Sequence, residues 1–291
     1  MVTRPFGDTG LTVSALGLGG GQIGEADVDD ATAARVLHAA LDAGIRLIDT
    51  ARGYGTSEER IGRHLASRRD DVVLVTKVGY DVEGAEDWTA AAVTGGIERA
   101  LRMLRTDVID VVLLHSCPVE TLERGDVIEA LLAAREAGRI RVAGYGGENE
   151  SLAWAVGSGH FGAVETSVNI VDQWSASNVL PEAGHLGVIA KRPLANAPWR
   201  FRERPAGYYG ETYWERLRAL RLEPSDGDWL GTALRFAAYA PNVSAAIAGT
   251  ASPDHVRAAA QAVERGPLPA DEAARWRDAF AAHADAWRGE L

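Results

Sequence analysis

Ile45-Arg46-Leu47-Ile48-Asp49, Val72-Val73-Leu74-Val75-Thr76-Lys77 and Val108-Ile109-Asp110-Val111-Val112-Leu113-Leu114-His115 are short apolar runs, each closing on a different ionisable residue. Tyr54 follows the first of them at once, in Ala51-Arg52-Gly53-Tyr54-Gly55-Thr56-Ser57-Glu58-Glu59. Such β-rich runs, separated by helix-length segments, read as strands of a parallel α/β sheet. Ionisable side chains at the carboxyl ends of barrel strands are where that architecture carries its chemistry.

The same alternation extends outward in both directions. Upstream, the RPFGDTGL segment from Arg4 to Leu11 reads as a hairpin with a glycine turn, able to plug a barrel floor, and Thr12 to Gly20 opens the first strand. A helix over 31–43 is introduced by Asp29 and Asp30 and stopped by Gly44, with Val36, Leu37 and Leu41 at helical spacing. Helices follow from Ser57, with Glu58 and Glu59 favourable to the dipole, and over 89–104. Downstream come a helix over 126–137, a strand over 140–144, a helix over 150–156 and strands over 163–168 and 188–191. A helix over 229–239, a strand over 244–249 and a helix over 253–263 close the series, and 271–287 reads as an extra amphipathic helix. Eight strands with interleaved helices predict an α/β fold, a (β/α)8 TIM barrel of about 250 residues with an N-terminal β-hairpin and an extra C-terminal helix. No domain boundary interrupts it, so residues 1–291 read as one domain. The stretch from Pro193 to Asp228 is too long for a connection and rich in Trp, Tyr and Arg, so it is expected as a loop over the barrel mouth.

A net charge of −11 leaves no basic field for nucleic acid or an anionic membrane surface, so neither is an expected partner. The opening MVTRPFGDTG has no apolar core of a secretory leader, and no stretch approaches the roughly 18 apolar residues of a membrane span. Cys117 is the lone cysteine, which rules out an intrachain disulfide and suits a cytoplasmic location. His38, His64, His115, His160, His185, His255 and His283 show no paired spacing for zinc.

Gly19, Gly21 and Gly24 satisfy G-x-G-x-x-G after a strand, the outline of a dinucleotide fingerprint. That fingerprint needs a helix beginning at the third glycine, whereas Glu25, Asp27, Asp29 and Asp30 intervene here and would repel a pyrophosphate. The loop therefore reads as one that allows close backbone approach at the barrel mouth. Asp49, Tyr54, Lys77 and His115 form a more coherent set. A lysine cation beside a tyrosine stabilises its phenolate and is expected to lower its pKa. Asp49 is placed to hold Lys77 by an ion pair, and a neutral His115 suits hydrogen bonding to a reacting oxygen.

GIRLIDTARGYGTSEERIG, from Gly44 to Gly62, resembles the signature of the aldo-keto reductases. The resemblance runs from the GLGG segment at Gly17 to GTASPDHVRAA at 249–259. It implies a barrel that binds an extended nicotinamide cofactor, with Asp49, Tyr54, Lys77 and His115 as the catalytic tetrad. In that family hydride passes to a carbonyl while the tyrosine protonates the oxygen.

The cofactor residues are likewise implied by the resemblance, with departures. Gly20 and Gly21 stand in the glycine loop. Where the family commonly has Gly-Val-Ser-Asn, this chain has Gly144-Tyr145-Gly146-Gly147, and Asn149 is the expected substitute for the lost carboxamide ligands. Glu165 stands in place of a glutamine, and Lys191 in place of the aromatic that stacks on nicotinamide. A carboxylate accepts from the carboxamide amine but cannot donate to its carbonyl. Arg192, Leu194 and Asn196 resemble a pyrophosphate segment. Thr250 and Ser252 precede a helix whose amino end can receive phosphate, His255 replaces a usual arginine, and Arg257 is the expected contact of a 2′-phosphate. NADP is thus the expected cofactor and NAD the alternative. The expected activity is NADP(H)-dependent reduction of an aldehyde, ketone or sugar-like carbonyl. The altered carboxamide pocket leaves open a redox-neutral or otherwise atypical reaction with nicotinamide retained; a non-catalytic nucleotide sensor or auxiliary subunit is the alternative from another class, and the intact tetrad argues against it. Trp174, Trp199, Tyr208, Tyr209, Tyr213 and Trp214 are candidates for an aromatic substrate wall. Neither the substrate nor the oligomeric state is written in any motif.

Overall fold

The computed structural model describes residues 1–290. A hairpin of β1 (Thr3–Pro5) and β2 (Thr12–Ser14) precedes eight parallel strands: β3 (Leu16–Gly19), β4 (Leu47–Asp49), β5 (Val73–Val78), β6 (Ile109–His115), β7 (Ile140–Gly146), β8 (Ala163–Ser167), β9 (Gly187–Lys191) and β10 (Ala245–Gly249). These eight pair in chain order and close where β10 meets β3, which gives the expected barrel with no open edge.

Alternation along the strands determines what fills the barrel. Leu47, Val73, Val75, Val111, Leu113, Val142, Ala163, Ile189, Ala245 and Ile247 form one apolar cluster inside it. Side chains two residues apart share a face of a strand. The next inward positions toward the carboxyl ends are therefore Asp49, Lys77, His115, Glu165 and Lys191, so a charged layer caps an apolar one. Phe6 and Val13 of the hairpin join the same apolar cluster from below. The Phe6 ring occupies the space beside Gly187, where an added Cβ would lie 2.3 Å from its Cε1. The hairpin is thus the floor plug that its sequence suggested.

The outer helices pack their apolar faces on the strands. Asp29 caps α1 (Asp30–Asp42) by accepting from the Thr32 N–H at 2.6 Å, and Thr89 caps α3 (Ala90–Leu104). Between them lies α2 (Ser57–Leu65). The helix α4 (Val119–Arg124) was not expected, nor was the short α7 (Trp174–Asn178) between β8 and β9. The others are α5 (Asp126–Glu136) and α6 (Asn149–Gly157).

Two expectations need correction. The segment from Pro193 to Asp228 is not merely a loop: α8 (Glu211–Leu220) lies within it. With α9 (Trp229–Ala238) and α11 (Ala270–Ala281), α8 builds a separate apolar cluster around Tyr213, Leu217, Phe236 and Trp276. Its apolar residues are spaced for a helix face, but the flanking Arg and Glu masked that period. The C-terminal helix also stops at Ala281, after α10 (Pro253–Glu264), rather than at Trp287. Trp287 instead stacks on His283, with ring centres 4.3 Å apart, and Arg216 lies over its ring. Among the described residues no helix is long and apolar enough to cross a membrane.

Candidate active site

The charged layer surrounds the base of a cavity of about 1260 Å³ at the carboxyl ends of the strands. Lys77 is buried beneath it and donates to Asp49 Oδ1 at 2.6 Å and to the Thr50 carbonyl at 3.1 Å. Its Nζ lies 5.2 Å from the centre of the Tyr54 ring. The edge of that ring meets His115, with centroids 6.2 Å apart. Asp49, Tyr54 and His115 all line the cavity. The four residues that the sequence singled out therefore converge from three strands and a loop.

The loop that carries Tyr54 is held by the glycine loop after β3. The Thr56 N–H donates to the Gly24 carbonyl at 3.1 Å, and a Cβ on Gly24 would come within 1.8 Å of the Tyr54 carbonyl oxygen. The third glycine of the G-x-G-x-x-G pattern thus makes room for the tyrosine loop. The next α-helix begins only at Asp30, which removes the geometry of a dinucleotide fingerprint.

Glu165 changes the charge balance. Its side chain is 2% exposed, and Oε2 lies 3.3 Å from Lys77 Nζ without hydrogen-bond geometry, so that oxygen has no hydrogen-bond partner among the described residues. Burial alone would discharge Lys77, but Asp49 and Glu165 outweigh it and hold the ammonium well above its ordinary range. Asp49 is itself raised well above the usual carboxylate value, by burial and by the Glu165 charge, against the pull of Lys77.

Tyr54 then departs from the sequence expectation of a lowered pKa. Lys77 does pull the phenol down, but burial and the charges of Asp49 and Glu165 together push it up to about 12. Burial and two carboxylates together outweigh one ammonium. His115 behaves as expected of a neutral imidazole: burial, then Lys77 and Lys191, push it down to about 3.

Two neighbours escaped the sequence reading. Tyr80, in the loop after β5, places its hydroxyl 2.8 Å from His115 Nδ1 and its ring against Trp88. Glu148, after β7, is buried on the cavity wall, where it accepts from Thr166 Oγ1 at 2.6 Å and from the Ser167 N–H at 2.9 Å. Lys191 pairs with Glu148 at 3.2 Å. Loop residues lack the period that marks inward strand positions, so only a reading of every loop at the strand ends would have raised these two.

Of the expected cofactor residues, Gly21, Glu165, Lys191, Arg192, Leu194, Asn196, Thr250 and His255 line the cavity. Asn196 Nδ2 is buried with no partner among the described residues. Arg192 is partly engaged, donating to the Glu290 carbonyl at 2.6 Å and to the Tyr209 hydroxyl. Gly20 lies behind the wall, packed against Asp49 and Ser57. Asn149 is not the substitute expected on the wall: its Nδ2 donates to the Gly289 carbonyl at 2.9 Å and its Oδ1 accepts from the Gly289 N–H at 2.8 Å. It clamps the C-terminal tail instead. Ser252 precedes α10, and its side chain makes no capping hydrogen bond among the described residues. Arg257 stands outside the wall, 57% exposed and paired with Asp254 at 2.7 Å.

Only part of the aromatic set faces the cavity. Trp199, Tyr208 and Tyr209 line it. Trp174 lies under the Arg288 guanidinium, the Tyr213 hydroxyl donates to Asp172 at 3.0 Å, and Trp214 Nε1 donates to the Phe201 carbonyl at 3.0 Å.

The Aldo/keto reductase family model matches residues 15–281. Aldo-keto reductase YhdN of Bacillus subtilis is 32% identical over 190 residues, a match covering 60% of this chain and 56% of that protein. The 6-dehydroglucose reductase of Novosphingobium aromaticivorans is 32% identical over 152 residues, covering 48% of this chain and 50% of that protein. The chain thus spans about half the length of these curated relatives in the matched stretch. The holo form of aldo-keto reductase AKR11C1 from Bacillus halodurans is similar in structure, with a TM-score of 0.84 at 28% identity over 96% of both chains.

Proposed function

Because this chain belongs to the aldo/keto reductase family, we propose that it is a nicotinamide-dependent oxidoreductase, with NADPH as first cofactor, that reduces an aldehyde, ketone or sugar-like carbonyl to the alcohol. The observation that carries this reading is the buried Lys77–Asp49 pair at 2.6 Å directly beside Tyr54, with His115 on the same cavity floor. A cavity of about 1260 Å³ is ample for a dinucleotide and a small substrate together.

The residues present suit such a cofactor at both ends. At the floor, the unpartnered Glu165 Oε2 is an acceptor for a carboxamide amine. Farther out, Asn196 Nδ2 and the cations Lys191 and Arg192 suit a pyrophosphate, and Thr250 and His255 lie at the rim beside α10, flanked by Ser252 and Arg257. When bound, the nicotinamide ring is the source of the hydride for the carbonyl carbon.

The chain's own groups manage the proton and the oxygen. Tyr54 holds its proton throughout the neutral range, so its O–H donates to the oxygen as negative charge develops there. His115, neutral well below pH 7, has its Nδ1 engaged by the Tyr80 hydroxyl. With Tyr80 donating, the imidazole N–H lies on Nε2 and serves the same oxygen. Lys77 and Asp49 position the phenol without touching substrate. Trp199, Tyr208 and Tyr209 line the cavity and give it an aromatic wall.

The test is direct. The protein is titrated with NADPH and NADH by cofactor fluorescence, then mixed with a panel of aldehydes, ketones and sugars while the reduced nucleotide is followed by absorbance. Nucleotide binding with carbonyl-dependent oxidation is expected; binding without consumption by any carbonyl would overturn the reading.

A further inference from the structure

We propose that Glu165 is a positioning residue for proton transfer, a second carboxylate on Lys77 that offsets the ammonium's pull on the Tyr54 phenol. The inference rests on Tyr54 being the acid of the reaction.

Geometry carries it. An ammonium with one carboxylate neighbour is a neutral pair, and a phenol beside it feels mainly the nearer cation. Here Lys77 Nζ has Asp49 at 2.6 Å on one side and Glu165 at 3.3 Å on the other, all three buried. With both carboxylates ionised, as where the phenol titrates, the cluster carries an excess negative charge, and a negative charge resists the ionisation of a neighbouring acid. Low dielectric strengthens the effect, because all three groups are buried.

The groups that face the phenol are Asp49 from β4, Lys77 from β5, His115 from β6 and Glu165 from β8. His115 is neutral and adds no charge. Lys191 on β9 is already paired with Glu148 at 3.2 Å, so its charge is largely answered locally. Glu165 is then the one member of the cluster whose charge is not needed to pair Lys77. The elevated phenol, with Glu165 among its causes, agrees with this balance.

Removing the charge while keeping the shape isolates the effect. In Glu165→Gln one of the charges that raise the phenol is gone, so its midpoint should fall by about one pH unit or more. The measurement is tyrosinate absorbance against pH in protein without nucleotide, with the Tyr54→Phe curve subtracted so that Tyr54 alone remains. At a fixed pH below the midpoint, the Tyr54 tyrosinate fraction should rise roughly tenfold. In turnover, the alkaline limb of carbonyl reduction and the acid limb of alcohol oxidation should move together to lower pH.

A side chain that served only packing would leave the titration where it is. An unchanged or raised midpoint in Glu165→Gln overturns the proposal. Glu165→Met, a second neutral side chain of similar length, is read in the same way should the amide impair folding. The titration needs no substrate, so its outcome is separate from that of the turnover test on Tyr54.

Discussion

The Tyr80 hydroxyl and His115 Nδ1 lie 2.8 Å apart, with their rings inclined at 31° and their centres 5.4 Å apart. A tyrosine in a loop thereby occupies one ring nitrogen of an imidazole at a strand end. In Tyr80→Phe the ring contacts survive and the hydroxyl is lost, so His115 can present either nitrogen to the cavity. We expect kcat/KM to fall by roughly tenfold, the worth of one such hydrogen bond, with nucleotide affinity unchanged. Steady-state kinetics beside a nucleotide titration check this; a loss confined to nucleotide binding would contradict it.

Tyr54→Phe removes the proton donor and keeps the ring. Turnover should fall by about 10²-fold or more while nucleotide binding persists. Near-wild-type turnover would sink the acid role of Tyr54.

Lys77→Met breaks a buried cluster and strands both Asp49 and Glu165. Denaturant unfolding should report a loss of about 3–5 kcal/mol, the usual cost of leaving one buried charge unanswered. Activity should vanish, and the Tyr54 phenol should titrate higher still, because Lys77 is what pulls it down. Pairing this change with Asp49→Asn should recover part of the stability and none of the activity.

Arg257 bears on cofactor choice. It is exposed and paired with Asp254, itself 89% exposed, so the guanidinium is free to exchange that partner for a 2′-phosphate. Arg257→Ala should weaken NADPH more than NADH by roughly tenfold to a hundredfold, as a charge-assisted hydrogen bond predicts. Equal losses for the two cofactors would remove Arg257 from the site and leave NAD as good a choice as NADP.

Asp172 is a stability liability near neutral pH. Burial, then the charge of Glu148, raises its carboxyl from 3.8 to about 7, although the Glu290 N–H and the Tyr213 hydroxyl both donate to it. A folded-state pKa above the unfolded one means that the unfolded chain gives up this proton first as pH rises. Native stability therefore falls between about pH 4 and pH 7 and is lowest above that window. Asp172→Asn should raise Tm above neutrality and give little difference below pH 4. An equal shift at both ends of the range would mean that the gain has another origin.

Much of this molecule is legible from local pattern. The runs ending at Asp49, Lys77 and His115 gave strands whose inward parity is countable, and Glu165 and Lys191 occupy the same parity on β8 and β9. Counting back by two from each charged end reaches Leu47, Val75, Leu113, Ala163 and Ile189, all inside the barrel. Residues without a period were less legible. Asn149 was expected at the cofactor and instead binds Gly289, more than a hundred residues away, because nothing near it in sequence indicates where the tail returns. The α8 helix was hidden for a related reason: its buried face is answered by α9 and α11, far along the chain.

The sequence by itself determined the barrel, the hairpin plug, the convergence of Asp49, Tyr54, Lys77 and His115, and the neutrality expected of His115, since each follows from strand period or from side-chain chemistry. Tertiary structure alone decided the proton affinity of Tyr54. A lysine beside a tyrosine implies a lowered pKa, yet the sign of the shift depends on every charge that shares the buried space. Glu165 sits 88 positions beyond Lys77 in the chain and 3.3 Å from its ammonium in the fold. Coulomb interactions depend on distance through space and on the dielectric around the charges, and both are set only when the barrel closes.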